Sequence, residues 1–92
     1  MKVYVAGKTR GISNYPELFE RAEKELQALG CVVINPSILP TGLDQGDYTK
    51  LGYAMMDVCE GIYLLNNWRD SVGAKLEHAY ALKTNMWIKY QE

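Results

Sequence analysis

The sequence predicts an α/β fold, a three-layer α/β/α arrangement around a four-stranded parallel sheet. Three observations carry this. Four short runs of β-branched, aromatic and other apolar residues alternate strictly with three amphipathic stretches at helical spacing. Residues 31–34 are apolar at every position, as in a parallel strand covered on both faces. The length of 92 residues suits one core, so residues 1–92 are expected to form a single domain.

The elements follow in order. Residues 2–6 read as a buried strand ended by Gly7. A helix is expected over 15–29, with Asn14 as cap, Pro16 in its first turn and Glu17 placed for a capping box. Phe19, Ala22, Leu26 and Leu29 should face the sheet, and Gly30 should stop the helix in the left-handed conformation. Residues 31–34 form the second strand, and 35–46 are irregular, with Pro36, Pro40, Gly42 and Gly46. A second helix is expected over 48–59, capped by Asp47 and ended by Gly61, with Leu51, Ala54, Met55 and Val58 as its apolar stripe. Residues 62–65 give the third strand. Ser71 should cap a third helix running to Lys83, with Leu76, Ala79 and Tyr80 packing inward, and residues 86–90 form the fourth strand. This alternation is that of flavodoxin-like and Rossmann-like folds, with right-handed crossovers and helices on both faces. Ligands in such sheets bind beyond the carboxyl ends of the strands. That edge carries residues 7–14, 35–47 and 66–71.

Composition excludes several classes. Ten basic and eleven acidic residues give a net charge of -1, so no general attraction for nucleic acid or anionic membrane is expected. No run approaches the ~20 apolar residues of a membrane span, and the N-terminus lacks the apolar stretch and cleavage site of a secretion signal. A cytoplasmic protein is the default. Cys31 and Cys59 lie beside apolar runs without metal-type spacing, and read as buried free thiols in a reducing compartment. No metal or cofactor is implied.

Two loops carry chemistry. Gly7, Lys8, Thr9, Arg10 and Gly11 combine two glycines with two cations, which suits a phosphate; a plain strand-to-helix turn with solvated cations is the alternative. The loop lacks the upstream glycine of a Walker A sequence and is not G-x-G-x-x-G. The third strand offers no aspartate for phosphoacceptor chemistry. The segment from Trp68 to Glu77 is richer. Ser71 caps a helix whose first N–H groups favour an anion, and Gly73 shares a face with Glu77 and leaves room beside its carboxylate. Glu77 reads as a nucleophile or an acceptor for sugar hydroxyls, or else as an ordinary exposed helix glutamate. Trp68 either stacks on a base or seals its loop against the core. Asn35 either reads a base edge or makes a turn with Pro36. His78, about 100° around the helix from Glu77, reads as a packing or surface residue.

Leu65-x-x-Trp68-x-x-Ser71-x-Gly73-Ala74-x-x-Glu77 resembles the signature of the nucleoside 2-deoxyribosyltransferase-like superfamily, closest to its small phage and bacterial domains of unknown function. Residues 4–11 resemble the first-strand loop of the deoxynucleoside 5′-monophosphate N-glycosidases. Asn35-Pro36 and Asp57-x-Cys59-Glu60 fit the small domains as well. The resemblance implies an N-glycosidase or deoxyribosyltransferase acting on a nucleoside or nucleoside 5′-monophosphate, a small-molecule partner, with Glu77 as nucleophile on the anomeric carbon. It places Tyr4 near the sugar, Ser71 at the phosphate, and residues 7–11 around phosphate and ribose. It also implies a site shared across a two-fold interface; with the exposed edges of a four-stranded sheet, this leads to an expected homodimer or dimer of dimers. The chain departs from the related enzymes at Gly52, where they carry an aspartate. A non-catalytic nucleotide binder, such as a sensor or a phage sequestering protein, is the alternative.

Overall fold

Lys2–Ala6 forms β1, and its pleat sorts the core. Tyr4 and Ala6 point to one face of the sheet, Val3 and Val5 to the other, and all four are buried. The structure is a computed structural model and describes residues 1–92. Tyr15–Ala28 forms α1, Val32–Ile34 β2, Gln45–Asp57 α2, Gly61–Leu64 β3, Val72–Lys83 α3 and Trp87–Tyr90 β4. The strands lie in the order β2-β1-β3-β4, all parallel, with Tyr4 opposite Ile34 on one side and Ile62 on the other. The predicted α/β class and the four-stranded parallel sheet are therefore present.

One face of the sheet is covered by α1, through Phe19, Ala22 and Leu26, which meet Val3, Val5, Tyr63 and Leu65. Burying side chains such as Phe19 and Leu26 contributes roughly 1.5–3 kcal/mol each. The other face is covered by α2 and α3, through Met56, Ala74 and Ala81, which meet Tyr4, Ala6, Ile62 and Leu64. No helix is long and apolar enough to cross a membrane. Both cysteines are free and half-buried.

Several expectations are corrected. Asn14 precedes α1 but its side chain makes no capping hydrogen bond. Leu29 is 72% exposed, because α1 closes one residue earlier and Gly30, at φ +87°, turns the chain away. Helix α2 starts at Gln45: Asp44 is the cap, and Asp47 sits in the first turn, where its carboxylate accepts the Asp44 N–H at 3.3 Å. Gly61 belongs to β3, beside Val3 and Trp87.

The inward faces of α2 and α3 also differ from the expected stripes. On α2, Leu51, Ala54 and Val58 are exposed, while Gly52 and Met56 face the sheet with Met55 half-buried. On α3, Leu76 and Ala79 are exposed, Tyr80 is half-buried and packs against the core as expected, and the inner stripe is Ala74, Glu77, His78 and Ala81. Where α2 approaches Tyr4, the space is filled by the Glu77 carboxylate, and position 52 carries no side chain that would overlap it.

Candidate active site

Three segments meet at the carboxyl end of β1. Tyr4 extends from the strand toward α3, and its hydroxyl donates a hydrogen bond of 2.6 Å to Oε2 of Glu77. Gly52 of α2 closes the third side: a Cβ at this position would overlap Glu77 Oε2 and lie 3.2 Å from the Tyr4 hydroxyl. The pair forms the floor of an open cleft of about 650 Å³.

Burial sets the electrostatics of the floor. It pushes the Glu77 carboxyl up to about 7, an effect the Tyr4 hydrogen bond partly opposes. Burial and the neighbouring carboxylate hold the Tyr4 phenol far above its ordinary value, so it stays protonated and donates. Oε1 of Glu77 has no hydrogen bond within the protein, yet no buried polar side-chain atom lacks a partner; this oxygen therefore opens to the cleft. The site thus presents one oriented carboxylate oxygen whose charge switches near neutral pH. Such a group can attack an electrophilic carbon or stabilise a cationic one.

Tyr4→Phe tests this arrangement. Removing the donor takes away the contact that lowers the Glu77 carboxyl, so its titration should move above about 7. Any activity requiring the ionised carboxylate should then need a more alkaline pH. A pH–rate profile identical to that of the wild type would show that the hydrogen bond does not tune Glu77.

The walls come from the loops at the same edge. Gly7, Lys8, Thr9 and Arg10 line one side. Gly7 is required there, since a Cβ would lie 2.7 Å from the Leu65 side chain. The Lys8 N–H donates to Asn67 Oδ1 at 2.9 Å, which ties the first loop to the third. Ser71 and Gly73 line the cleft at the start of α3, where Ser71 Oγ accepts the Ala74 N–H at 3.1 Å.

Other expected residues lie elsewhere. Gly11 shapes the end of its loop at φ +78° and does not line the cleft. Asn35 spends its side chain on structure: its oxygen accepts the Ser37 N–H at 2.9 Å and its amide donates to Glu23 at 2.9 Å, joining the loop after β2 to α1. Trp68 is buried, with its ring 4.3 Å from that of His78, and seals the third loop against the core. His78 lies 2.7 Å from the Tyr90 hydroxyl, away from the cleft.

The sequence reading missed the contribution of α2. Gln45, Tyr48 and Thr49 line the cleft, and with Gly52 they recur at i, i+3, i+4 and i+7 on one face of the helix. The signal was the Asp44-Gln45-Gly46-Asp47 capping box, which starts the helix a turn earlier. Tyr48 also holds the preceding loop: its hydroxyl donates to the Pro40 carbonyl at 2.6 Å and accepts the Leu43 N–H at 3.3 Å.

No curated protein and no solved structure matches the chain. One family does, that described as Domain of unknown function (DUF4406), over residues 1–90. A match across the whole sheet and every cleft-lining segment makes the chain a member of the DUF4406 family.

Proposed function

We propose that the cleft cleaves or transfers the N-glycosidic bond of a nucleoside or nucleoside 5′-monophosphate, with Glu77 as nucleophile. The observation that carries this reading is the Tyr4–Glu77 pair on the cleft floor, with one carboxylate oxygen held and the other open. In the reaction, Glu77 Oε1 bonds to the anomeric carbon as the bond to the base breaks. The resulting glycosyl ester is opened by water, giving hydrolysis, or by a second base, giving transfer. Tyr4 orients the carboxylate. Lys8, Arg10 and the first N–H groups of α3 after Ser71 are the groups for the 5′-phosphate.

A binder that holds the nucleotide without cleaving it is the second reading. The observation favouring it is Gly52, which leaves the floor with a single carboxylate. Assembly as a homodimer or dimer of dimers belongs to both readings. The exposed Leu51, Val58 and Leu76 on α2 and α3 supply apolar surface for it. A cytoplasmic setting fits a chain with two free thiols.

The experiment follows released base and retained ligand in parallel over a panel of nucleosides and their 5′-monophosphates. Released base supports the enzyme, and retention without release supports the binder. In either case the monophosphate should bind more tightly than its nucleoside, since charge-assisted contacts contribute about 1.5–3 kcal/mol each. Arg10→Ala should remove much of that difference. Calorimetry showing equal affinity for both ligands, unchanged by Arg10→Ala, would take the phosphate out of the proposal.

A further inference from the structure

The cleft holds no second carboxyl or imidazole beside Glu77 to deliver a proton to the bond it would attack. Two carboxylates line the cleft, Glu77 and Asp70. Asp70 is exposed and ends the short 3-10 turn Trp68–Asp70 before Ser71, whereas Glu77 lies within α3, about 7.5 Å of axis past Val72. Paired carboxyls that share one retaining reaction stand only about 5–5.5 Å apart. Position 52, directly against the Tyr4–Glu77 pair, carries no side chain. On the floor and the α2 wall the hydroxyls are engaged: Tyr4 donates to Glu77, Tyr48 to the Pro40 carbonyl, and Thr49 to the Gln45 carbonyl at 3.0 Å; Lys8, Thr9 and Ser71 stand in the walls assigned above to the phosphate. The lone histidine faces Tyr90 instead.

That lack selects a leaving group. A neutral purine or pyrimidine departs from the anomeric carbon readily only when a proton reaches it. A base already cationic at its ring system departs with the bonding electron pair and becomes neutral without one. The cleft also carries both signs of charge, with Lys8 and Arg10 on one loop and Glu77 and Asp70 on the α3 side. Tyr15, partly exposed on the cleft wall and held edge to face against the buried Phe19, adds aromatic surface on which a cationic ring is favoured.

We propose that the substrates are 5′-phosphorylated N-glycosides of cationic bases, of the pyridinium or N7-alkylated purine type. This rests on the N-glycosidase reading above. The bond from Glu77 Oε1 to the anomeric carbon forms as the carbon–nitrogen bond breaks, and its electron pair cancels the positive charge of the base. Water then opens the glycosyl ester. The sum is substrate plus water to sugar 5-phosphate, neutral base and one proton released to solvent.

The test uses nicotinamide mononucleotide and 7-methylguanosine 5′-monophosphate, with guanosine and cytidine 5′-monophosphates as neutral-base partners. Base release is followed by chromatography, and each rate is divided by that of the same compound without protein. The expected result is turnover of both cationic substrates, with the neutral ones slower by ~100-fold or more, the typical contribution of a general acid. Their pH–rate profile should show one ascending limb and no descending limb. Comparable turnover of the neutral nucleotides, or a bell-shaped profile on nicotinamide mononucleotide, overturns the substrate class and leaves the N-glycosidase standing. Silence on all four overturns both. Turnover that survives in Glu77→Gln assigns the activity to another source and overturns both as well.

Discussion

Glu77→Gln is expected to lower base release by roughly three orders of magnitude or more, because the attacking charge is lost while shape and the Tyr4 contact are kept. Ligand affinity should change little. The same substitution should make the protein more stable at alkaline pH. The folded-state carboxyl is raised from 4.5 to about 7. Its stabilising contribution is therefore full below pH 4.5 and is lost as pH rises through about 7, after which the deficit is constant. That difference corresponds to at most roughly 3 kcal/mol, which glutamine does not lose. Thermal melts of the two proteins should therefore coincide in acid and separate above neutrality, the variant melting higher. A variant that turns over as fast as the wild type would remove Glu77 from the mechanism. A variant that gains no alkaline stability would show that the carboxyl is not buried as described.

Gly52→Ala should cost ~100-fold in rate with little loss of fold. The added Cβ overlaps the Glu77 carboxylate, the movable end of a long side chain, so the carboxylate swings off the Tyr4 hydroxyl and out of line. Misplacing a reacting group by about 1 Å commonly has an effect of that size. Alanine favours the helix by about 0.8–1 kcal/mol, which offsets much of the broken hydrogen bond. Gly52→Asp is expected to be worse, since a second carboxylate would compete for the same space, and like charges at that range cannot both ionise. An aspartate here, as the resemblance to the deoxyribosyltransferase-like enzymes suggests, therefore cannot be added without moving Glu77. Full activity in Gly52→Ala, measured beside an unchanged melting temperature, would count against the packing described at this position.

Hydropathy and spacing identified the sheet and α1 because their inward residues are apolar or aromatic throughout: Val3, Val5, Phe19, Ala22 and Leu26 obey ordinary burial, and Tyr4 buries its ring as a core residue would. The inner stripes of α2 and α3 were illegible for the opposite reason. The α3 stripe contains Glu77 and His78, and the α2 stripe contains Gly52, so the more apolar Leu51, Val58 and Leu76 marked the solvent side instead. Glu77, Tyr4, Ser71 and the residues 7–10 were legible from motif and local chemistry. Gln45 and Thr49 were not, because their role depends on a helix start that was read one turn late.

The Tyr4–Glu77 hydrogen bond joins residues 73 positions apart. It therefore closes a loop spanning most of the chain, in an all-parallel sheet with no hairpin to bring its ends together. The contact can form only after β1, β3 and both covering helices have assembled, among the late events of folding. At alkaline pH that last step also removes an ionised carboxylate from water. Unfolding runs the sequence in reverse: loosening α3 from the sheet separates the pair while much of the remaining structure can persist. Any partial opening that lifts α3 from the sheet therefore removes the site even where the sheet persists.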